Sequence, residues 1–126
     1  MGIQVEKLNG EQIVKLTKDI RGEGMKEILD EKHACMRVIS MQEKPRVIFD
    51  RSINQEYLNQ EKKEVVDELN DFLVNRCERI AILFNSEKEK VKYNYESHRK
   101  RRLINTKGFT NNEIERAKNF LNHWEI

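Results

Sequence analysis

The chain is poor in the residues that interrupt or cross-link a fold. Its 126 residues include one proline, five glycines and two cysteines. No glycine- or serine-rich tract offers a linker, and a second core would leave each half too small to bury much apolar surface. The sequence therefore predicts a single domain over residues 1–126.

Long apolar runs are also missing. No segment approaches the ~18 consecutive apolar residues of a membrane helix, and the first twelve residues lack the apolar stretch of a secretory signal. Cys35 and Cys77 lie far apart and match no metal-ligand or redox spacing, which favours buried free thiols. We expect an intracellular protein, cytoplasmic or, in a eukaryote, nuclear, without a membrane partner.

Signatures of catalysis are absent as well. The chain has no nucleophile elbow, zinc-protease motif or phosphate-binding glycine loop, and its three histidines are scattered. The acidic residues between 56 and 78 alternate with lysines at helical spacing, as on a solvated helix face. The sequence predicts a protein that is not an enzyme and holds neither a cofactor nor a metal.

Charge is abundant but unevenly distributed. Charged residues make up 37% of the chain for a net charge of only +2. Residues 56–78 carry seven acids and three bases (3 − 7 = −4), whereas residues 86–108 carry eight bases and three acids (8 − 3 = +5). Because the apolar share is also only 37%, we expect a thin core and a surface that binds a protein partner, in a hetero- or homo-oligomer.

Apolar residues at helical spacing predict the fold class. A first helix is expected over about 10–21, a second from Met25 to just before Pro45, a long third from about residue 52 to Phe84, and a last one after a capping box at 110–113. Residues 46–49 fit a strand or an extended connector, and residues 91–95 a strand, a loop or a helix. The prediction is a mainly α protein, a bundle of four or five helices with one long central helix, with a short β-hairpin or connector left open.

One segment is strongly basic. "SHRKRRLIN", residues 97–105, sets four cations side by side next to two tyrosines. Cations can neutralise phosphates while an aromatic ring stacks on a base. The predicted contacts to nucleic acid or another polyanion are Tyr93, Tyr95, Arg99, Lys100, Arg101, Arg102 and Lys107. A solvated surface, a nuclear address or contact with an acidic partner remain alternatives for the same residues.

Apolar residues near the ends of the third and last predicted helices are candidates for a protein interface. We assign partner binding to Leu83, Phe84, Phe120 and Trp124, because aromatic and aliphatic anchors dominate such surfaces. The alternative for these side chains is a place in the core.

Two stretches resemble a known family. "ELNDFLVNRCERIAIL", residues 68–83, is similar to the long helix of GINS replication subunits, with Leu73, Arg76, Arg79 and Ile80 at the matching places. "FTNNEIERAKNFL", residues 109–121, is similar to a later helix of the same helical domain. The resemblance implies a non-enzymatic helical subunit of a hetero-oligomer that assists a replicative helicase.

The functional hypothesis is thus a non-enzymatic adaptor or regulatory subunit of a larger complex, in DNA replication or another nucleic-acid transaction. The first alternative is direct nucleic-acid binding through residues 98–107. The second is a small phage or mobile-element regulator that inhibits a host protein.

Overall fold

The chain forms five strands and four α-helices in the computed structural model, which describes residues 1–8, 11–99 and 105–122. The strands are β1 (Ile3–Leu8), β2 (Glu11–Leu16), β3 (Arg46–Asp50), β4 (Arg79–Phe84) and β5 (Thr106–Thr110). The helices are α1 (Met25–Ser40), α2 (Gln60–Arg76), α3 (Glu87–Arg99) and α4 (Ile114–Leu121). Two short 3₁₀ turns occupy Lys18–Arg21 and Gln55–Tyr57.

This is an α/β fold, so the predicted helical bundle is wrong. The segment expected as the first helix is largely β2 and a 3₁₀ turn. The expected long central helix is divided into a turn, α2 and β4, which places Arg79 and Ile80 of the GINS-like stretch in a strand. β4 is a run of apolar residues buried on both faces, and such a run fits a helical period as well as a strand.

Other predicted elements are confirmed. The strand alternative for residues 46–49 is correct, and so is the helical alternative for 91–95. The second helix ends before Pro45, and the last helix begins after the capping residues. Cys35 and Cys77 are buried free thiols, as predicted.

The sheet follows the order of the chain, β1-β2-β3-β4-β5. β1 and β2 are antiparallel, and every later pair is parallel. Crossovers between parallel strands are right-handed, which places α1, α2 and α3 on one face of the sheet. A large core forms on that face, and a smaller one lies under α4 around Ile48, Leu83, Phe109 and Phe120 on the other.

Side chains cover the outer edge of β5. Gly108 donates its N–H to Asn94 Oδ1 at 2.6 Å and accepts from Asn94 Nδ2 at 3.0 Å, so one carboxamide of α3 takes the place of a neighbouring strand. Thr110 donates its N–H to Glu113 Oε1 at 2.9 Å. An edge satisfied in this way offers little to another chain.

Gly108→Ala should destabilise the protein by about 1–3 kcal/mol, because a Cβ there would lie 2.9 Å from Phe84 Cε2 and 3.2 Å from Asn94 Oδ1. Urea unfolding measures the change. The matched control is Gly22→Ala, where the nearest atom is 3.9 Å away and about 0.5 kcal/mol or less is expected. Equal effects at the two glycines would contradict the packing described for β5.

Glu113 joins α3, β5 and α4. Its carboxylate accepts from Thr110 and contacts Lys90 Nζ at 3.0 Å. The hydrogen bond from the Thr110 backbone, supported by Lys90, lowers the pKa of Glu113 from 4.5 to about 2. A lowered pKa in the folded state means that this stabilisation is full above about pH 4.5 and disappears as the pH falls towards 2.

Glu113→Gln should therefore lower the Tm by about 5 °C at pH 7 and reduce its fall between pH 4.5 and 2. Thermal melts monitored by circular dichroism across this range provide the measurement. Glu115→Gln is the control, since Glu115 lies two residues after Glu113, in the first turn of α4, with its side chain 81% exposed. An unchanged acid dependence in Glu113→Gln would refute the assignment.

Candidate protein-interaction site

The outer edge of β1 has backbone groups that no strand of the described chain pairs. β1 ends the sheet and bonds only to β2. Gly2 accepts from Thr17 on the β2 side, whereas the N–H of Ile3 points away and donates to Glu31 Oε1 at 2.7 Å. Because backbone direction alternates along a strand, Val5 and Lys7 present their N–H and C=O groups on the same outer side as Ile3.

A groove of about 520 Å³ follows this edge between β1 and α1. Its apolar lining comes from Ile3, Val5, Ala34, Cys35 and Val38. Here we name it the β1 groove. An extended segment placed along β1 would meet backbone partners on one side and apolar side chains on the other.

α1 supplies the wall of the β1 groove through a second apolar stripe. Its buried stripe, which includes Ile28, Cys35 and Ile39, packs against the sheet. Ala34 and Val38 line the groove beside it, and Met41, just past the end of α1, continues the spacing without lining the groove; Val38 is 42% and Met41 82% exposed. Apolar side chains left open next to an unpaired strand edge are typical of an interaction surface.

One end of the β1 groove is acidic. Asp30 and Glu31 line the end beside Ile3, Glu23 lies against Glu31, and Glu6 lines the groove three residues further along β1. Burial, followed by the hydrogen bond with Glu23, raises the pKa of Glu31, while the hydrogen bond from Glu31 lowers the pKa of Glu23. Among the residues that the structure describes, no lysine or arginine side chain lines the β1 groove. The Met1 ammonium group pairs with Glu23 at 3.3 Å, so one cation is already present, and the further acidic groups of Asp30 and Glu31 favour a second.

The residues predicted to bind a polyanion do not form one surface in the described chain. Tyr93 turns inward and packs its ring 5.2 Å from that of Phe84. Tyr95 is exposed, with Arg99 over its ring at 5.2 Å. Lys107 lies on the opposite face of the sheet, 5.5 Å from the ring of Phe109. Lys100, Arg101 and Arg102 fall outside the described residues.

The predicted partner-binding residues lie in the interior. Leu83 and Phe120 belong to the core under α4, and Phe84 belongs to the core on the other face. β4 is a central strand with both faces covered, so its apolar side chains cannot meet a partner. This corrects the interface assignment for these three residues, and Trp124 lies outside the described residues.

Sequence reasoning missed the β1 groove because it interpreted residues 10–21 as a helix. The available signal was Asn9–Gly10 between two segments with alternating apolar residues, a pattern typical of a β-hairpin. The stripe at Ala34, Val38 and Met41 is also visible in the sequence, but nothing there indicates that it borders a strand edge.

The reactivity of the Cys35 thiol measures how well the apolar lining of the β1 groove excludes solvent. Burial raises the pKa of both Cys35 and Cys77 to about 12, from 9.0. Iodoacetamide at pH 8 should label the native protein about a thousand-fold more slowly than the urea-unfolded protein, because only the thiolate reacts. Mass spectrometry of each cysteine peptide measures the rates. Fast labelling of Cys35 in the native protein would show that this thiol is not buried at the β1 groove as described.

Comparison with protein-family models, curated proteins and solved structures gives no match for this chain. None of the helices in the described part of the chain is long and apolar enough to cross a membrane. The same part contains no group of three or more His, Cys, Asp or Glu residues that could hold a metal ion.

Proposed function

We propose that this protein is an interaction module that binds an extended segment of a partner protein at the β1 groove. The observation that carries the proposal is the outward-facing backbone of β1 beside an apolar wall on α1. Strand addition to a free sheet edge is a common mode of peptide recognition, with affinity from main-chain hydrogen bonds and specificity from alternate side chains.

The lining of the β1 groove specifies the chemistry of the segment. Its alternate side chains that face α1 meet Ala34 and Val38, which favours small or medium apolar residues. A further side chain on the same face reaches the end formed by Asp30 and Glu31 and should be lysine or arginine. The occupant is thus an extended peptide with apolar residues at two alternate positions and a lysine or arginine before or after them.

The proposal retains the predicted role of adaptor or regulator and gives it a different surface. Direct nucleic-acid binding through residues 98–107 has less support, because Tyr93 and Lys107 lie on opposite faces of the sheet. Inhibition of a host protein would be one use of the same β1 groove.

A random heptapeptide display library, selected against the full chain, tests the proposal. Enriched peptides should have apolar residues at every second position and carry one lysine or arginine. Val38→Asp should weaken the selected peptides about ten-fold or more, because it places a charge on the apolar wall. Val91→Asp is the matched control, since Val91 is 55% exposed on α3; binding should be unchanged.

Two results would overturn the proposal. One is that no peptide is enriched on the unsubstituted protein relative to the Val38→Asp protein. The other is concentration-dependent dimerisation in analytical ultracentrifugation that Val38→Asp abolishes, since the β1 groove would then belong to a second copy of the chain. A monomer that binds the selected peptides with the expected pattern supports a partner segment.

A further inference from the structure

Glu31 occupies the first outward backbone position of β1. Its Oε1 accepts the N–H of Ile3 at 2.7 Å, in the place where the carbonyl of an added strand would otherwise accept it. A carboxylate forms a stronger hydrogen bond with a backbone N–H than a neutral carbonyl does. Val5 and Lys7 carry the next outward N–H groups, and neither has a side-chain acceptor in the described chain. The open part of the edge therefore begins at Val5.

Glu31 also has a charge that the described chain does not pair. Glu23 is paired with the Met1 ammonium group at 3.3 Å, whereas no lysine or arginine among the described residues forms an ion pair with Glu31. Asp30 lines the same end of the β1 groove but is exposed, and Glu31 is half-buried against the backbone of Ile3. Of these carboxylates, Glu31 is the one that lies directly at the pairing edge.

α1 and β1 run in the same direction. β1 is antiparallel to β2, and α1 returns from the end of β2 to the start of the parallel strand β3. The helix is therefore antiparallel to β2 and parallel to β1. The hydrogen bond between Glu31 and Ile3 fixes the level at which the two elements lie side by side.

The spacing along α1 matches alternate positions of an added strand. Ala34 and Val38 follow Glu31 by three and seven residues, or about 4.5 and 10.5 Å along the helix axis. Side chains on one face of a strand recur about every 6.8 Å. If one such side chain lies level with Glu31, the next lies between Ala34 and Val38. The third lies just past Val38, on the side of the exposed Met41.

Building on the proposed binding of an extended segment at the β1 groove, we infer that Glu31 sets the register of that segment. Glu31 keeps the N–H of Ile3 and pairs with a lysine or arginine that lies opposite Ile3. Apolar side chains then lie opposite Val5 and Lys7, two and four positions from the cation. The direction of the segment relative to β1 determines whether the cation comes first or last.

Synthetic versions of the selected peptides test this spacing. Replacing the cation by norleucine removes the charge, keeps the methylene chain and should weaken binding about five-fold. Inserting one serine between the cation and the nearer apolar residue turns the cation to the other face of the added strand, so binding should weaken as much. The Glu31→Gln protein should bind the original and norleucine peptides alike. The Glu27→Gln protein, changed at an exposed residue one turn earlier on α1, should keep the five-fold difference.

Amide hydrogen exchange, followed by NMR on the full chain, tests the register directly. Bound peptide should slow exchange at Val5 and Lys7 about ten-fold or more, because both N–H groups gain an acceptor. Exchange at Ile3 should already be slow in the free protein and should not change. In Glu31→Ala, the N–H of Ile3 should exchange fast without peptide and slowly with it, because that end of the edge is then open.

The inference is wrong if the norleucine or serine change has no effect, or if Glu31→Gln retains the preference for a cation. It is also wrong if the Ile3 amide of the unsubstituted protein gains protection when the peptide binds. In each of these cases peptides still bind at the β1 groove, so the proposed function stands. If no peptide is enriched on the unsubstituted protein, the proposed function and this inference both fail.

Discussion

The parallel pairing of β2, β3, β4 and β5 in the order of the chain determines the layout of the whole molecule. Each connection must return to the sheet's starting end with a right-handed crossover, so all three crossover helices lie on one face. The opposite face then depends on α4 for its core. The same constraint sets α1 beside β1 and in the same direction, which aligns Glu31 with Ile3.

The two edge strands of the sheet, β1 and β5, differ in how their outward backbone N–H groups are hydrogen-bonded. On β5, Asn94 and Glu113 satisfy the outward N–H groups of Gly108 and Thr110. On β1, only the N–H of Ile3 has a side-chain partner in the described structure, and that partner is Glu31. Sheet edges are normally protected against pairing with other chains. Because the edge at β5 is protected and the edge at β1 is more open, an added strand is expected to pair with β1 and not with β5.

Local signals in the sequence were sufficient for some elements and not for others. The residues at 110–113 and Pro45 mark helix boundaries through local sterics and capping, which need no tertiary partner. Residues 80–84 are all apolar, so they satisfy a helical and a strand period alike, and only burial on both faces makes them a strand. The stretch containing Ile13, Leu16 and Ile20 has helical spacing, but pairing with β1 and β3 makes its first part a strand. Tertiary contacts decided both cases.

The candidate sites depend on contacts between residues that are even further apart in the sequence. Val5 and Val38 of the β1 groove are brought together by one crossover, and Ile3 and Glu31 by the same one. The sequence reveals the acidic character of α2 but not its partners: Asp67 lies 3.4 Å from Arg51, and Glu68 pairs with Lys32 of α1 at 2.7 Å. Without Arg51, the carboxylates of Asp67, Asp71, Glu89 and Glu96 would face one another across the two hollows between α2 and α3, with Lys92 as the remaining cation. Arg51 thus reduces repulsion between α2 and α3 through Nη2, which lies 3.4 Å from Asp67 Oδ1, while its Nη1 donates to the Asn70 amide.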